Sequence, residues 1–215
     1  MKAAIVRSTS DSREALHRAG ILAAKRAIRA AYRDSNRAIA SSAITIEKEP
    51  LGKPQGRVAG RSASVAVSIS HAFPFSLSVA TLREQVALGT DIERIRDFRK
   101  STWQAFVTAA EKAYIARAPK TEQSYLRTLA WSLKESVLKM LGIGIRMHPR
   151  HVDISTLLAQ EPEAAQTIAI KGVPYPIEAH GWRVGASHVA TMIAFQHPSS
   201  IMSTVWNCET RSSRS

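Results

Sequence analysis

The sequence predicts an α+β fold of two similar halves, a pseudo-dimer in which each half packs a small antiparallel sheet against a long helix. Three observations carry this. Two stretches of helical periodicity, 11–33 and 121–141, stand far apart, and each is followed by segments in which small or β-branched residues alternate. The strand pair VAVSISHAFPFSLSVATL of the first half is echoed by WRVGASHVATMIAF in the second. A composition of 45% hydrophobic and 22% charged residues over 215 positions is enough for a real core.

The elements follow in order. Residues 11–33 place Leu16, Ala19, Ala23, Ala27 and Ala30 or Ala31 at spacings of three and four; Ser12 or Asp11 can cap the start, with Glu14 in the first turn. The opposite face carries Arg13, Lys25, Arg26 and Arg29. Residues 43–50 alternate as a strand, and LGKPQGR reads as a loop punctuated by Gly and Pro. ASVAVSIS (63–70), SLSVATL and VALGTDIERI read as three strands of a β-meander, with His71 at the end of the first. Residues 101–117 read as one or two short helices. The strongest helix is 121–141, where Tyr125, Leu126, Leu129, Leu133, Val137, Met140 and Leu141 share a stripe, Thr121 caps and Gly142 stops. GIGIRM and HVDIS read as short strands, and 165–171 and 182–195 as further ones. The halves divide as 1–100 and 101–198, leaving a loosely held tail, 199–215.

Composition narrows the function. One cysteine, Cys208, excludes an internal disulfide and a Cys-based zinc cluster and fits a reducing compartment. No stretch approaches the roughly 20 apolar residues of a membrane span. The start, MKAAIVRSTSDSR, turns polar too soon for a secretory signal, so a cytoplasmic protein is expected. Thirty Lys and Arg against 17 Asp and Glu give a net charge of +13, which attracts polyanions: nucleic acid, phosphorylated small molecules or an acidic protein.

Two segments carry candidate chemistry. In GTDIER, Asp91 and Glu93 fall on one face of a strand, where two anions repel unless a cation or protons sit between them. Their hard oxygens suit Mg²⁺ or Mn²⁺; the plain alternative is an exposed acidic pair. In WSLKESVLK, Trp131, Glu135 and Lys139 lie at i, i+4 and i+8 on one helix face, beside Lys134. Glu135 could complete the carboxylate set and the lysines could neutralise phosphate, although Glu–Lys spacing also decorates ordinary surface helices. His71, behind Ser68-Ile69-Ser70, is a functional histidine or a sheet-end cap, and Lys53 is a lone lysine between Gly52 and Pro54. No GxGxxG, Walker loop, HExxH or GxSxG occurs.

In order, the chain shows Gly52-Lys53-Pro54, Ser68-Ile69-Ser70-His71, Gly89-Thr90-Asp91-Ile92-Glu93, the Phe106 to Glu111 segment, and Trp131-Ser132-Leu133-Lys134-Glu135 followed by Lys139. This succession, from about Arg13 to about Pro198, resembles the 4′-phosphopantetheinyl transferase superfamily, and specifically its larger, surfactin-synthetase-activating type. The sequence departs from that pattern at Ala72, usually Ser, and Thr90, usually Ile or Val. The resemblance implies an active site between the halves that moves the 4′-phosphopantetheine arm of coenzyme A onto a serine of an acyl or peptidyl carrier protein. It implies Mg²⁺, with Mn²⁺ an alternative, on Asp91, Glu93 and Glu135. Glu135 is the candidate base and Lys139 would neutralise the leaving phosphate. His71, Ser70, Lys53 and Lys134 would contact coenzyme A, as would Arg18 or, less closely matched, Arg13. Glu111 corresponds to an acid near the metal. The partners implied are coenzyme A and an acidic carrier of fatty-acid, polyketide or nonribosomal-peptide synthesis, with a monomeric enzyme, no nucleic acid and no membrane. The rival readings are a metal-dependent nuclease or phosphodiesterase and a basic nucleic-acid binder. Against them, Lys134-Glu135 reverses the nuclease order, and 6% aromatic residues leave little for base stacking.

Overall fold

A computed structural model gives the architecture and describes residues 1–49, 52–61, 65–159 and 166–196. It is α+β, with two five-stranded antiparallel sheets, each covered by a 22-residue helix. The first sheet comprises β1 (Lys2–Arg7), β2 (Ile44–Lys48), β3 (Pro54–Val58), β4 (Val65–Ala72) and β5 (Phe75–Thr81), in the order β1-β5-β4-β3-β2. The second comprises β6 (Val86–Arg94), β7 (Val152–Asp153), β8 (Gln166–Ile170), β9 (Val173–Val184) and β10 (His188–Gln196), in the order β6-β10-β9-β8-β7.

Helix α1 (Arg13–Asp34) lies on the first sheet. Its buried face is mostly alanine, so it packs close to the strands, and Ser12 caps it by accepting from the Ala15 amide. Helices α2 (Lys100–Phe106), α3 (Ala109–Arg117), α4 (Lys120–Leu141) and α5 (Ser155–Ala159) belong to the second half. There α4 covers β6 and β10 so closely that a Cβ at Gly89 would stand 1.7 Å from the Ser136 carbonyl oxygen. The glycine of the G-x-D-I-E strand is therefore a packing requirement. At the other end of α4, Gly142 adopts φ 72° and stops the helix, as its sequence predicts.

The sheets meet through apolar clusters, Leu77 with Ile92 and Ala190, and Val79 with Leu88 and Ala194. Strand β6 forms the end of the second sheet, and its free edge faces β4: Ser68 Oγ accepts from the Thr90 amide at 3.0 Å.

Several elements differ from expectation. The meander breaks after β5, because β6 pairs with β10 (Asp91 opposite Thr191). The change of sheet therefore precedes residue 100, where the sequence reading divides the halves. The segment 182–195 is two strands turning at Gly185, and GIGIRM yields a 3-10 turn, Gly144–Arg146. Strand β3 forms where a loop is predicted, with Pro54 tolerated at its first position. Strand β1 and helix α5 are additional, and the cap of α4 is Pro119, not Thr121. Residues 63–64 of the predicted strand, Ala165, the tail 199–215 and Cys208 lie outside the described residues.

Candidate functional site

The sequence-predicted acids come together where β4, β6 and α4 meet. Strand periodicity sends Gly89, Asp91 and Glu93 to the face that α4 covers. Asp91 is buried, and its Oδ1 accepts from Ser70 Oγ at 2.7 Å and from Lys139 Nζ at 2.6 Å. Lys139 also donates to Ser70 Oγ at 2.9 Å, closing a triangle between β4, β6 and α4. Asp91 Oδ2 is buried with no partner. Glu93 accepts from the Trp131 indole N–H at 3.0 Å. Trp131, Glu135 and Lys139 form a half-exposed ridge along α4, as their spacing predicts.

Burial dominates the electrostatics of the acids, with the charge of Asp91 adding to it. Burial pushes the carboxyl of Glu93 above its ordinary value and the charge of Asp91 pushes it further, while the Trp131 hydrogen bond, Arg96 and Lys139 pull it down. Burial raises Glu135 likewise; Lys139 pulls it down and Asp91 adds to the rise. Among the described residues, no group of three His, Cys, Asp or Glu side chains is arranged to hold a metal ion, and Lys139 occupies the place against Asp91. The donor set nevertheless suits a hard divalent cation. The oxygens are carboxylate, one is buried and unpartnered, and the mutual repulsion is what such a cation relieves.

Basic groups rim this centre. Lys53, in the loop before β3, reaches across to the last turn of α4 and donates to the Met140 carbonyl at 3.4 Å. Burial lowers its pKa, with Glu49 pulling the other way. His71 Nδ1 lies 2.9 Å from Ser76 Oγ, which donates to the Leu16 carbonyl of α1 at 3.2 Å. The ring presses on α1 so closely that a Cβ at Gly20 would stand 2.2 Å from its Cε1. Burial, then Lys139, then His17 lower its pKa, which favours the neutral imidazole. Arg13 and Arg18 are exposed on the first turns of α1, in the stretch that holds His17, and Arg18 is paired with Glu14.

Two predicted residues sit elsewhere. Lys134 is fully buried on another side of α4, paired with Glu111 at 2.9 Å. It also donates to the carbonyls of Pro149, at 3.2 Å, and Val152. Its three protons are committed, so none remains for a phosphate. Glu111 is equally occupied: it forms a capping box with Thr108 and accepts from the Ile154 amide at 2.8 Å. This corrects both expectations; the pair is scaffold joining α3, α4 and the segment 149–154. The reading from sequence also missed Ser68, although its period-two spacing with Ser70 marked both as facing one way. Beyond Trp131 opens a cavity of about 440 Å³ lined by Phe98, Phe106, Thr102, Arg96, Asp97 and Arg99.

Residues 87–193 match the model of a family described as the 4′-phosphopantetheinyl transferase superfamily. The match runs from β6 into β10 and so contains Asp91, Glu93, Glu135 and Lys139, whereas Lys53, Ser70, His71 and α1 lie before it. No curated protein matches the chain. The second half is thus similar to that superfamily over a stretch just short of half the chain. Among the described residues, no helix is long and apolar enough to cross a membrane.

Proposed function

We propose that the protein transfers the 4′-phosphopantetheine arm of coenzyme A to a serine of an acyl or peptidyl carrier protein, releasing adenosine 3′,5′-bisphosphate. We assign it to the larger type, in which one chain supplies both halves. The observation that carries the reading is the convergence of Asp91, Glu93, Glu135 and Lys139 inside the region of superfamily match. In the reaction the serine oxygen attacks the phosphorus that bears the pantetheine arm. The bond from that phosphorus to the bridging oxygen breaks, and the adenosine bisphosphate leaves. Glu135, without a hydrogen-bond partner among the described residues and raised in pKa, takes the serine proton. Lys139, beside the carboxylates, neutralises the charge growing on the leaving phosphate. A Mg²⁺ or Mn²⁺ ion on Asp91, Glu93 and Glu135 would supply charge screening for the pyrophosphate. Lys53 and His71 line the approach for the other phosphates, with Arg13 and Arg18 farther out, while Ser70, whose one hydroxyl proton goes to Asp91, holds that acid and Lys139 in place. The cavity beside Trp131, aromatic on one side and edged by Arg96, Asp97 and Arg99, suits the amphipathic pantetheine chain. A net charge of +13 favours encounter with a polyanionic donor and an acidic carrier.

The test is transfer of a labelled coenzyme A arm onto a panel of fatty-acid, polyketide and nonribosomal-peptide carriers, with and without Mg²⁺. The expected result is Mg²⁺-dependent labelling of at least one carrier. Metal-dependent cleavage of DNA or of phosphodiesters, without labelling, would overturn it.

A further inference from the structure

A cluster of buried hydroxyls beneath α4 takes no part in the chemistry above. Thr191 stands on β10 directly opposite Asp91 in the β6–β10 register. Its Oγ1 lies 2.9 Å from Ser132 Oγ and 2.7 Å from Ser136 Oγ, one turn apart on α4, and all three residues are fully buried. Its carbonyl oxygen accepts from Thr90 Oγ1 at 2.6 Å and from Ser136 Oγ at 3.5 Å. Thr191 therefore contacts the neighbour of Asp91 on one side and both residues that bracket Lys134-Glu135 on the other.

On its flanks this stretch of α4 is held by Trp131 to Glu93, Lys134 to Glu111 and Lys139 to Asp91, while against β10 the directional contacts are those of the hydroxyl cluster. Gly89 presents no side chain to the Ser136 backbone, so α4 rests there on a smooth surface. Hydrogen bonds are directional where such a contact is not. On a helix about 11 Å across, a roll of about 20° moves a side-chain tip by about 2 Å. Misplacing a reacting group by only about 1 Å can cost about 10²-fold in rate.

We propose that Thr191 is a positioning residue, whose hydroxyl fixes the roll of α4 and thereby the placement of Glu135 against Asp91. What those two acids do rests on the transferase reading; the clamp itself rests on the hydroxyl geometry. Thr191→Val keeps the volume and removes the hydroxyl. Ser132 and Ser136 can then turn to the carbonyls one turn back along α4, so the fold survives while the clamp is lost. Thr191→Ser keeps the hydroxyl.

Two measurements on the full chain test this. In the transfer assay, Thr191→Val is expected to lower kcat by about 10²-fold with the coenzyme A KM unchanged, and Thr191→Ser to retain wild-type kcat. In hydrogen–deuterium exchange read by mass spectrometry, Thr191→Val is expected to speed exchange over residues 131–139 and not over α1, with Thr191→Ser like wild type. Wild-type kcat in Thr191→Val overturns the inference, as does equal impairment in Thr191→Ser or exchange that rises in α1 as well. If the wild-type protein transfers nothing to any carrier, the transferase reading falls and exchange alone decides. Unchanged exchange over 131–139 then overturns the clamp, and faster exchange confined there supports it.

Discussion

Helix α4 holds two lysine–carboxylate pairs five residues apart, about 140° around the helix, that behave oppositely. Lys134 and Glu111 are both fully buried, 2.9 Å apart, with every ammonium proton accepted and both carboxylate oxygens used. Lys139 and Asp91 lie 2.6 Å apart, yet the lysine side chain keeps 29% of its area exposed and Asp91 Oδ2 has no partner. The difference teaches how scaffold and site separate when residue types coincide. A pair whose donors and acceptors balance holds elements together. A pair that leaves an oxygen over, beside two more acids raised in pKa by burial, has the imbalance that the proposed function would use.

The sharpest way to break this comparison is to remove one partner of the balanced pair. Lys134→Met leaves the Glu111 charge buried and uncompensated, which is expected to cost about 3–5 kcal/mol in chemical denaturation. The folded fraction is expected to keep its KM for coenzyme A. Adding Glu111→Gln should recover part of the loss, since the amide oxygen still accepts from a backbone N–H without a buried charge. A Lys134→Met protein of wild-type stability would remove the pair from the scaffold.

The counterpart is Asp91→Asn. Transfer is expected to fall by about 10²–10³-fold, the scale for losing one preorganised charge-stabilising group. The thermal midpoint is expected to stay within about 4 °C, because Asn no longer repels Glu93 and Glu135. A stability loss as large as that of Lys134→Met would place Asp91 with the scaffold as well.

Sequence made one side of this comparison legible and hid the other. The ridge of Trp131, Glu135 and Lys139 follows from helical period, and the shared face of Asp91 and Glu93 from strand period; both are local properties. Nothing local distinguishes Lys134 from Lys139. What separates them is Glu111 on α3 and the carbonyls of Pro149 and Val152, which only the tertiary fold brings to α4. The same limit explains the meander. Period two identifies β6 as a strand but cannot say that its partner lies about a hundred positions later, at β10. Likewise Ser132, Ser136 and Thr191 read as unremarkable small polar residues until they meet.

A smaller effect is expected at Lys53, which shares the incompleteness of the Lys139 pair. Burial lowers its pKa and it has only a 3.4 Å bond to the Met140 carbonyl, so its charge is held at a cost. Lys53→Met is expected to raise the coenzyme A KM about tenfold, the worth of one hydrogen bond to a charged group, with a lesser change in kcat. Its thermal midpoint should equal or exceed that of the wild type. Unchanged KM with reduced stability would make Lys53 a tether between the loop and α4 instead.

The smallest effect separates the two lysines through a third residue. The His71 pKa is lowered from 6.5 by burial first, then by Lys139 and then by His17; Lys134 is not among the causes. For a base lowered in the fold, the unfolded chain takes up its proton first as pH falls. The stability that neutral His71 contributes is therefore complete above 6.5 and declines as pH falls below that value toward the folded pKa. Titration of the imidazole by NMR reads the folded value directly. Lys139→Met removes one of the two repelling charges, so the His71 midpoint should rise toward 6.5. Lys134→Met, measured where it remains folded, should leave the midpoint where the wild type has it. Equal shifts in both variants would mean that the two lysines act on the cleft alike, and the distinction between the balanced pair and the unfinished one would not survive.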